Sequence, residues 1–399
     1  MNHFMLHKKY WLLAIFVLFS FSLSAADYLV LTSKQVVEDV AWKKVVDHLV
    51  EKHHSTYLIY DQAPDELMDK IREHAPRYIC IVEKPENLDK DYIISWNIAS
   101  RKIDPDMYLD CFWGIVTGKD ASAAMKMLEN STEPFVVKTG IASVTELSLA
   151  KWFDKFGWVD DHREGIVGEK RAKMLPVTYR KVSPEQVLPE FVNLYNTYEP
   201  DFMVTASHAT EKNLEMPYSD GNIIPVDGDF YAVPMIKGKK IRMKKDSLSF
   251  YITPNRDKPF LCMPIGNCLI GNVNNDKYSM ASTWISNYHA TTFIGYVVPT
   301  WYGRNGWGVL KYFLTTPGKL TAAESFFLNM QDMLYRMNKF SPEFMEAPFN
   351  HQAKSIFKQG QEDARVLLGR DITTDELGFW HDRDVVAYYD DPKRNVPKP

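Results

Sequence analysis

The sequence has few cysteines and lacks the motifs of several common enzyme classes. Four cysteines occur in 399 residues, too few for a disulfide scaffold in a chain of this size. None of them has zinc-ligand spacing. His-Glu-x-x-His, Gly-x-Ser-x-Gly and the phosphate loop are also absent. The sequence therefore gives no support to a zinc peptidase, a nucleophile-elbow hydrolase or a P-loop enzyme.

An excess of positive charge is also absent. The formal net charge is −4, so nothing indicates binding to nucleic acid. One dense basic run spans residues 237–245, inside the turn-rich and β-rich segment 221–258. We interpret it as part of a solvated β-hairpin, and a surface that meets an acidic partner is the alternative.

A long apolar run occurs at the N-terminus. Residues 1–26 combine a basic start, an apolar run from Tyr10 to Leu23 and the small residues Ser24-Ala25-Ala26. This is typical of a secretory signal peptide, and an uncleaved anchor is the alternative. We expect cleavage before Asp27 and a secreted or periplasmic protein. Since no later stretch reaches about 18 apolar residues, we expect no membrane span after cleavage.

Strand-like and helix-like patterns alternate after the signal peptide. Apolar positions with helical periodicity occupy residues 36–53 and 64–74. Three apolar, β-rich runs flank them: Tyr28–Thr32, Tyr57–Tyr60 and Tyr78–Val82. Because buried strands separated by helices form parallel sheets, this order predicts a smaller N-terminal α/β subdomain over residues 27–132.

A second series of elements follows, which we assign to a larger domain over residues 133–392. Periodicity predicts helices over residues 144–156, 322–337 and 346–368. Strands are predicted at Phe202–Thr205, Phe260–Ile265, Thr291–Val298 and Val385–Tyr389. Residues 393–399 form a tail, and we expect the chain from Asp391 onward to be extended or disordered.

Two residues with complementary chemistry follow predicted strands. His208 follows Phe202–Thr205 closely, and Cys268 follows Phe260–Ile265 closely. In parallel α/β sheets, sites gather where the strands end. A nearby His lowers the pKa of a thiol or removes its proton during attack, which makes Cys268 a candidate nucleophile and His208 its base. Structural roles for both residues are the alternative.

Small residues surround both positions, as backbone oxyanion donors require. Ala206, Ser207, Ala209 and Thr210 flank the His, and Gly266 and Asn267 precede the Cys. The amides of Ala209 and Cys268 are the candidate donors.

These blocks resemble those of the gingipain-like cysteine peptidases. Ser207-His208-Ala209-Thr210 is similar to the His-Gly block of the gingipain and caspase clan, and Gly266-Asn267-Cys268 is similar to its Ala-Cys block. The tract from Asp104 to Ile115 is similar to the end of the gingipain first subdomain. Ala387-Tyr388-Tyr389-Asp390-Asp391-Pro392 is similar to the tract that ends the catalytic domain.

The resemblance implies a caspase-like three-layer α/β/α sandwich that hydrolyses peptide bonds. Its substrate would be a protein or peptide, and no cofactor is needed, although the family allows structural calcium. Many relatives select a basic residue with an acidic pocket, for which this chain offers Asp160, Asp161, Glu199 and Asp201. Ala209 replaces the usual Gly, and Asn267 replaces the usual small residue. Two alternatives are therefore a catalytically inactive binding protein and an exported hydrolase or transferase unrelated to peptidases.

A glycine-rich stretch, residues 303–308, follows Pro299-Thr300-Trp301. We interpret it as a loop beside the site and not as a nucleotide cradle. Trp301, Tyr302 and Trp307 are candidates for cleft walls, and aromatic core is the alternative for all three.

Overall fold

The computed structural model describes residues 27–129, 136–145, 149–219, 221–234, 250–254, 258–273, 278–315, 318–352 and 355–394. Within these ranges the chain forms a large, mostly parallel sheet flanked by helices and a smaller antiparallel sheet. Four sequence predictions lie outside the described residues. They concern the signal peptide (1–26), the boundary between residues 132 and 133, the basic run 237–245 and the last tail residues (395–399).

Seventeen strands occur in the described ranges. They are β1 (Tyr28–Ser33), β2 (Thr56–Tyr60), β3 (Tyr78–Val82), β4 (Phe112–Val116), β5 (Thr139–Ala142), β6 (Lys155–Val159), β7 (Ile166–Lys170), β8 (Thr178–Lys181), β9 (Phe202–Ser207), β10 (Ala209–Thr210), β11 (Asn213–Glu215), β12 (Gly221–Val226), β13 (Asp229–Pro234), β14 (Phe250–Ile252), β15 (Phe260–Asn267), β16 (Ala290–Tyr296) and β17 (Val386–Tyr389).

Twelve α-helices accompany them in the same ranges. They are α1 (Lys34–Glu38), α2 (Val40–His53), α3 (Met68–His74), α4 (Lys90–Ala99), α5 (Ala121–Met127), α6 (Leu149–Trp152), α7 (Pro184–Tyr198), α8 (Met280–Asn287), α9 (Arg304–Thr315), α10 (Ala322–Phe340), α11 (Ile356–Leu368) and α12 (Thr374–Asp382). No helix in the described ranges has the length and apolar character needed to cross a membrane.

The large sheet runs through both halves of the chain, in the order β2-β1-β3-β4-β17-β16-β15-β9-β5-β6-β7-β8. β17 pairs with β4 on one side and antiparallel with β16 on the other, so the last strand joins the two halves. Gly114 on β4 permits this junction, because a Cβ there would lie 2.4 Å from the carbonyl oxygen of Asp390. β1 and β16 each have a neighbouring strand on both sides. They are buried along their whole length, as strands covered on both faces of a sheet are.

Two of the predicted helices are wrong in extent. In the described part of residues 144–156 the only helix is the short α6, and the chain from Lys155 belongs to β6, where Trp158 and Val159 are buried. Residues 346–368 contain α11 only from Ile356. Pro348 lacks an amide hydrogen and cannot continue a helix, which explains the later start.

The expectation of an extended or disordered chain from Asp391 onward is wrong for residues 391–394. Arg394 is buried and donates to the carboxylate of Asp390 and to the carbonyl of Met127. Asp391 is also buried and accepts hydrogen bonds from Tyr28, Lys52 and His53. Burial alone would raise the pKa of Asp391, but the His53 hydrogen bond and the Lys52 charge hold it well below its usual range.

Candidate active site

The strands that precede His208 and Cys268 are neighbours in the large sheet. β9 and β15 pair in parallel, and Ser207 lies opposite Asn267 in their register. Because the chain direction is the same in both strands, the next residues, His208 and Cys268, emerge at the same edge of the sheet. The register therefore places the imidazole and the thiol on adjacent strand ends.

Gly266 is required by the close approach of these two strands. It lies opposite Ala206, and a Cβ at Gly266 would come within 2.2 Å of the Ala206 Cβ. Real Cβ atoms do not approach so closely, so a side chain there would force the strands apart. The glycine before the candidate nucleophile thus has a packing reason that the sequence alone did not reveal.

Asn267 fastens the end of β15 to the end of β9. Its Oδ1 accepts a hydrogen bond of 2.5 Å from the Thr205 hydroxyl. Its Nδ2 donates to the Ser207 carbonyl at 2.9 Å and to the Ser207 hydroxyl at 3.2 Å. The side chain is fully buried. The polar groups of the Asn267 side chain are therefore directed at β9.

His208 and Cys268 line the same cleft, which has a volume of about 480 Å³. His208 is exposed and Cys268 is half-buried. The cleft is also lined by residues of three other segments, namely Asp161, the loop 215–219, and Thr300 with Trp301. The cleft therefore brings an imidazole, a thiol and a carboxylate, that of Asp161, to one surface.

The thiol of Cys268 is held by the backbone of Thr300. The Sγ donates to the Thr300 carbonyl at 3.3 Å and accepts from the Thr300 N–H, also at 3.3 Å. Burial raises the pKa of the Cys268 thiol, and the hydrogen bond from Thr300 opposes part of that rise. No hydrogen bond joins His208 to Cys268 among the described residues. The raised pKa favours the protonated form of the resting thiol.

Of the two candidate oxyanion donors, Cys268 lines the cleft, whereas Ala209 is buried and is not among the lining residues. The backbone N–H of Glu215 donates to the carbonyl of His208. Because hydrogen-bonded and non-hydrogen-bonded pairs alternate along antiparallel strands, the next pair, Ala209 and Leu214, is a non-hydrogen-bonded one. In such a pair the amide of Ala209 faces away from the partner strand. After Cys268 the chain turns sharply, since Leu269 has a left-handed φ of 59°. Such strain in a residue other than glycine is common at functional sites.

The residues suggested for an acidic pocket are not brought together. Asp161 lines the cleft. Asp160 is buried and pairs with Arg163. Asp201 binds the backbone amides of Lys138 and Thr139, and Glu199 caps the end of α7. One of the four candidates therefore reaches the cleft.

The glycine-rich stretch is not a loop, which corrects the sequence interpretation. Only Gly303 precedes the helix, with a left-handed φ of 64°, and α9 begins at Arg304. Of the three aromatic candidates, Trp301 lines the cleft and is 52% exposed. Tyr302 contacts Gly378, and Trp307 packs against Gly303 and the main core. The sequence missed Thr300, whose contacts with the thiol are made by its backbone.

One carboxylate cluster could hold a metal ion. Asp104, Asp106 and Asp110 offer oxygens that lie within 4.8 Å of one another. Each also accepts a hydrogen bond from a backbone amide of the same loop. Burial, followed by the charges of Asp104 and Asp106, raises the pKa of Asp110 to about 6. The three residues lie within seven positions of one loop, in the tract that resembles the end of the gingipain first subdomain.

The comparisons with known proteins concern the fold. No family model and no curated protein matches the sequence. A solved complex of the pro- and mature domains of RgpB from Porphyromonas gingivalis is 9% identical, with 92% of this chain and 79% of that chain covered and a TM-score of 0.51. A structure described as a protease is also 9% identical, with 94% and 79% covered and a TM-score of 0.44. The mostly parallel sheet flanked by helices is the predicted caspase-like sandwich, and the chain has a gingipain-like fold.

Proposed function

We propose that this protein is an exported cysteine-type endopeptidase, with Cys268 as its nucleophile and His208 as its general base. The observation that carries the proposal is the register of β9 and β15, which sets the two residues side by side on one cleft. The gingipain-like fold supports the reaction class, and the signal-peptide pattern of residues 1–26 supports export.

The proposed reaction passes through a thioester. His208 removes the thiol proton as Sγ bonds to the substrate carbonyl carbon, and the carbonyl electron pair moves to oxygen. The amides of Ala209 and Cys268 hold this oxyanion. The oxyanion collapses, the C–N bond breaks, and the leaving amine takes the proton from His208. Water then attacks the thioester carbonyl carbon and gives a proton to His208. The C–S bond breaks, the acid leaves, and the Cys268 sulfur takes the proton back from His208.

A catalytically inactive binding protein is the second candidate. Two observations favour it: burial raises the pKa of Cys268, and the thiol is bound by Thr300 and not by His208. Catalytic hydrogen bonds are often long or unmade before substrate binds, so these observations are compatible with both candidates. A binding protein would use the same cleft without turning over the peptide.

The deciding experiment compares two cysteine variants on one strand. Cys268→Ala should abolish hydrolysis of a peptide library and leave the melting temperature near that of the wild type. Cys262→Ala is the matched control, because Cys262 is fully buried on β15. It should keep turnover and lose about 1 kcal/mol of stability. His208→Ala should cost nearly as much activity as Cys268→Ala, since nucleophile and base act as a unit.

Two results would contradict the proposal. Full activity in Cys268→Ala would show that the thiol takes no part in the reaction. A folded wild-type protein that hydrolyses no peptide, and whose Cys268 reacts with iodoacetamide no faster than its buried cysteines, would favour the binding protein.

A further inference from the structure

A buried pair at the end of α12, His381 and Asp382, contacts the segment that holds the thiol. Thr300, whose backbone contacts the Cys268 Sγ, lies in residues 297–303, which connect β16 to α9. Both members of the pair are fully buried, although neither lines the cleft. Buried polar side chains cost free energy unless they are hydrogen-bonded, so their partners are informative.

Asp382 holds both ends of the connecting segment. Its Oδ2 accepts a hydrogen bond of 3.1 Å from the Tyr296 hydroxyl, at the end of β16. The same oxygen accepts from the backbone amide of Arg304, the first residue of α9. Amides in the first turn of a helix lack intrahelical partners, and a carboxylate there is also favoured by the helix dipole. The Tyr296 oxygen in turn accepts from the Gly306 amide at 2.9 Å.

His381 supports the middle of the segment. Its Nδ1 hydrogen-bonds to the other oxygen of Asp382 at 2.8 Å, which fixes the orientation of the ring. The ring packs at an angle against Trp301, with 5.8 Å between centroids. Trp301 adjoins Thr300 and forms a wall of the cleft. The pair thus reaches the start, the middle and the end of the seven-residue segment 297–303.

We infer that Asp382 is a positioning residue for the Cys268 thiol, acting through Tyr296, Arg304 and the backbone of Thr300, with His381 as its support. The inference rests on the proposed function for its catalytic consequence, but the position of the thiol can be measured without turnover. When the segment is held, the thiol is shielded and aligned beside Thr300. When Asp382 is altered, the segment loosens, the thiol becomes more accessible and its alignment is lost.

The test uses Asp382→Asn in the full mature chain. Asn keeps the shape, but it has no charge and replaces one acceptor oxygen with an NH2 donor, so it cannot serve as an acceptor both towards His381 and towards Tyr296 and Arg304. The alkylation rate of each cysteine by iodoacetamide is followed by mass spectrometry through a pH series, and kcat and KM are measured on a cleaved peptide. Burial is the largest cause of the raised Cys268 pKa. We therefore expect faster alkylation at Cys268 alone, with its pH midpoint shifted to lower pH, and kcat reduced about tenfold.

Asp391→Asn is the matched control, because Asp391 is equally buried but contacts α2 and β1 and not the segment 297–303. It should lower stability and leave the Cys268 alkylation profile unchanged. Tyr296→Phe removes one of the bonds to Asp382, and it should change the profile in the same direction. It also decides the matter if Asp382→Asn does not fold.

Two results would overturn the inference. One is a Cys268 alkylation profile like the wild type in folded Asp382→Asn and Tyr296→Phe. The other is an equal rise in the alkylation of all four cysteines in folded variants, since Asp382 would then hold the fold as a whole and not the Cys268 thiol. A wild-type chain without turnover contradicts the proposed peptidase instead, and the alkylation series still decides the role of Asp382.

Discussion

Asn267 and Ser207 lie opposite each other on β15 and β9, and the amide of Asn267 donates to both the carbonyl and the hydroxyl of Ser207. The residue after each is a member of the proposed dyad. The Asn267 side chain therefore adds to the β9–β15 pairing that sets the backbone positions of the proposed nucleophile and base.

Asn267→Ala should reduce both stability and turnover. Three hydrogen bonds are lost, and the hydroxyls of Thr205 and Ser207 are left with fewer partners beside the site. Unsatisfied buried polar groups cost about 1–3 kcal/mol each, so we expect the free energy of unfolding to fall by about 2–3 kcal/mol. Denaturant unfolding and peptide hydrolysis measure the two effects.

Asn97→Ala is the control for this variant. Asn97 is also buried, and it donates to the carbonyls of Ile93 and Val386. It should lose comparable stability and keep its kcat. Equal kcat values in the two variants would show that Asn267 has no positioning effect on the dyad.

Gly266→Ala should separate β15 from β9 and impair hydrolysis. The new Cβ would meet the Ala206 Cβ at 2.2 Å, and overpacking of this kind costs about 1–3 kcal/mol. Adding Ala206→Gly removes that contact, so the double variant should recover part of the lost stability and activity. The coupling is read from a double-mutant cycle. Purely additive effects would mean that the clash lies elsewhere.

The pH dependence of Cys268 alkylation should follow the direction of its pKa shift. Because the pKa is raised, the protonated and unreactive form of the thiol persists to higher pH. The alkylation rate of Cys268 should therefore rise at a higher pH than that of an ordinary thiol. Cys268 should still react faster than Cys80, Cys111 and Cys262, which are fully buried. The same chain in denaturant supplies the reference midpoint. A plateau of high reactivity at neutral pH would instead indicate a preformed thiolate–imidazolium pair.

The sequence predicted those elements whose formation depends on a pattern of side chains. The runs Tyr28–Thr32 and Tyr78–Val82 predicted strands β1 and β3 because buried parallel strands are continuously apolar. The ends of Phe202–Thr205 and Phe260–Ile265 likewise led to His208 and Cys268. Thr300 could not be found in this way, since its amide and carbonyl are groups that every residue except proline has. Nor could Asp382, whose partners lie 78 and 86 residues away along the chain.

Asp110→Asn should stabilise the protein at neutral pH and not in acid. In the folded chain the pKa of Asp110 is raised to about 6, above the roughly 3.9 of an unfolded Asp. The folded state therefore binds the proton more tightly. Its stability contribution is full below about pH 4 and is lost as the pH rises through about 6. Asn removes the charge that is disfavoured above that range, while its Oδ1 can still accept from the amides of Ile103 and Asp104.

Melting temperatures of wild type and Asp110→Asn, measured from pH 4 to pH 8 with a chelator present, should converge near pH 4, separate as the pH rises to about 6, and stay separated by a constant amount above it. The chelator matters because a cation bound by Asp104, Asp106 and Asp110 would neutralise the same charge. Asp69→Asn, an exposed carboxylate outside the cluster, controls for the removal of one negative charge. A constant difference at every pH would contradict the raised pKa. It would mean that Asn acts through its hydrogen bonds, since only a group that titrates in this window can produce a difference that grows with pH.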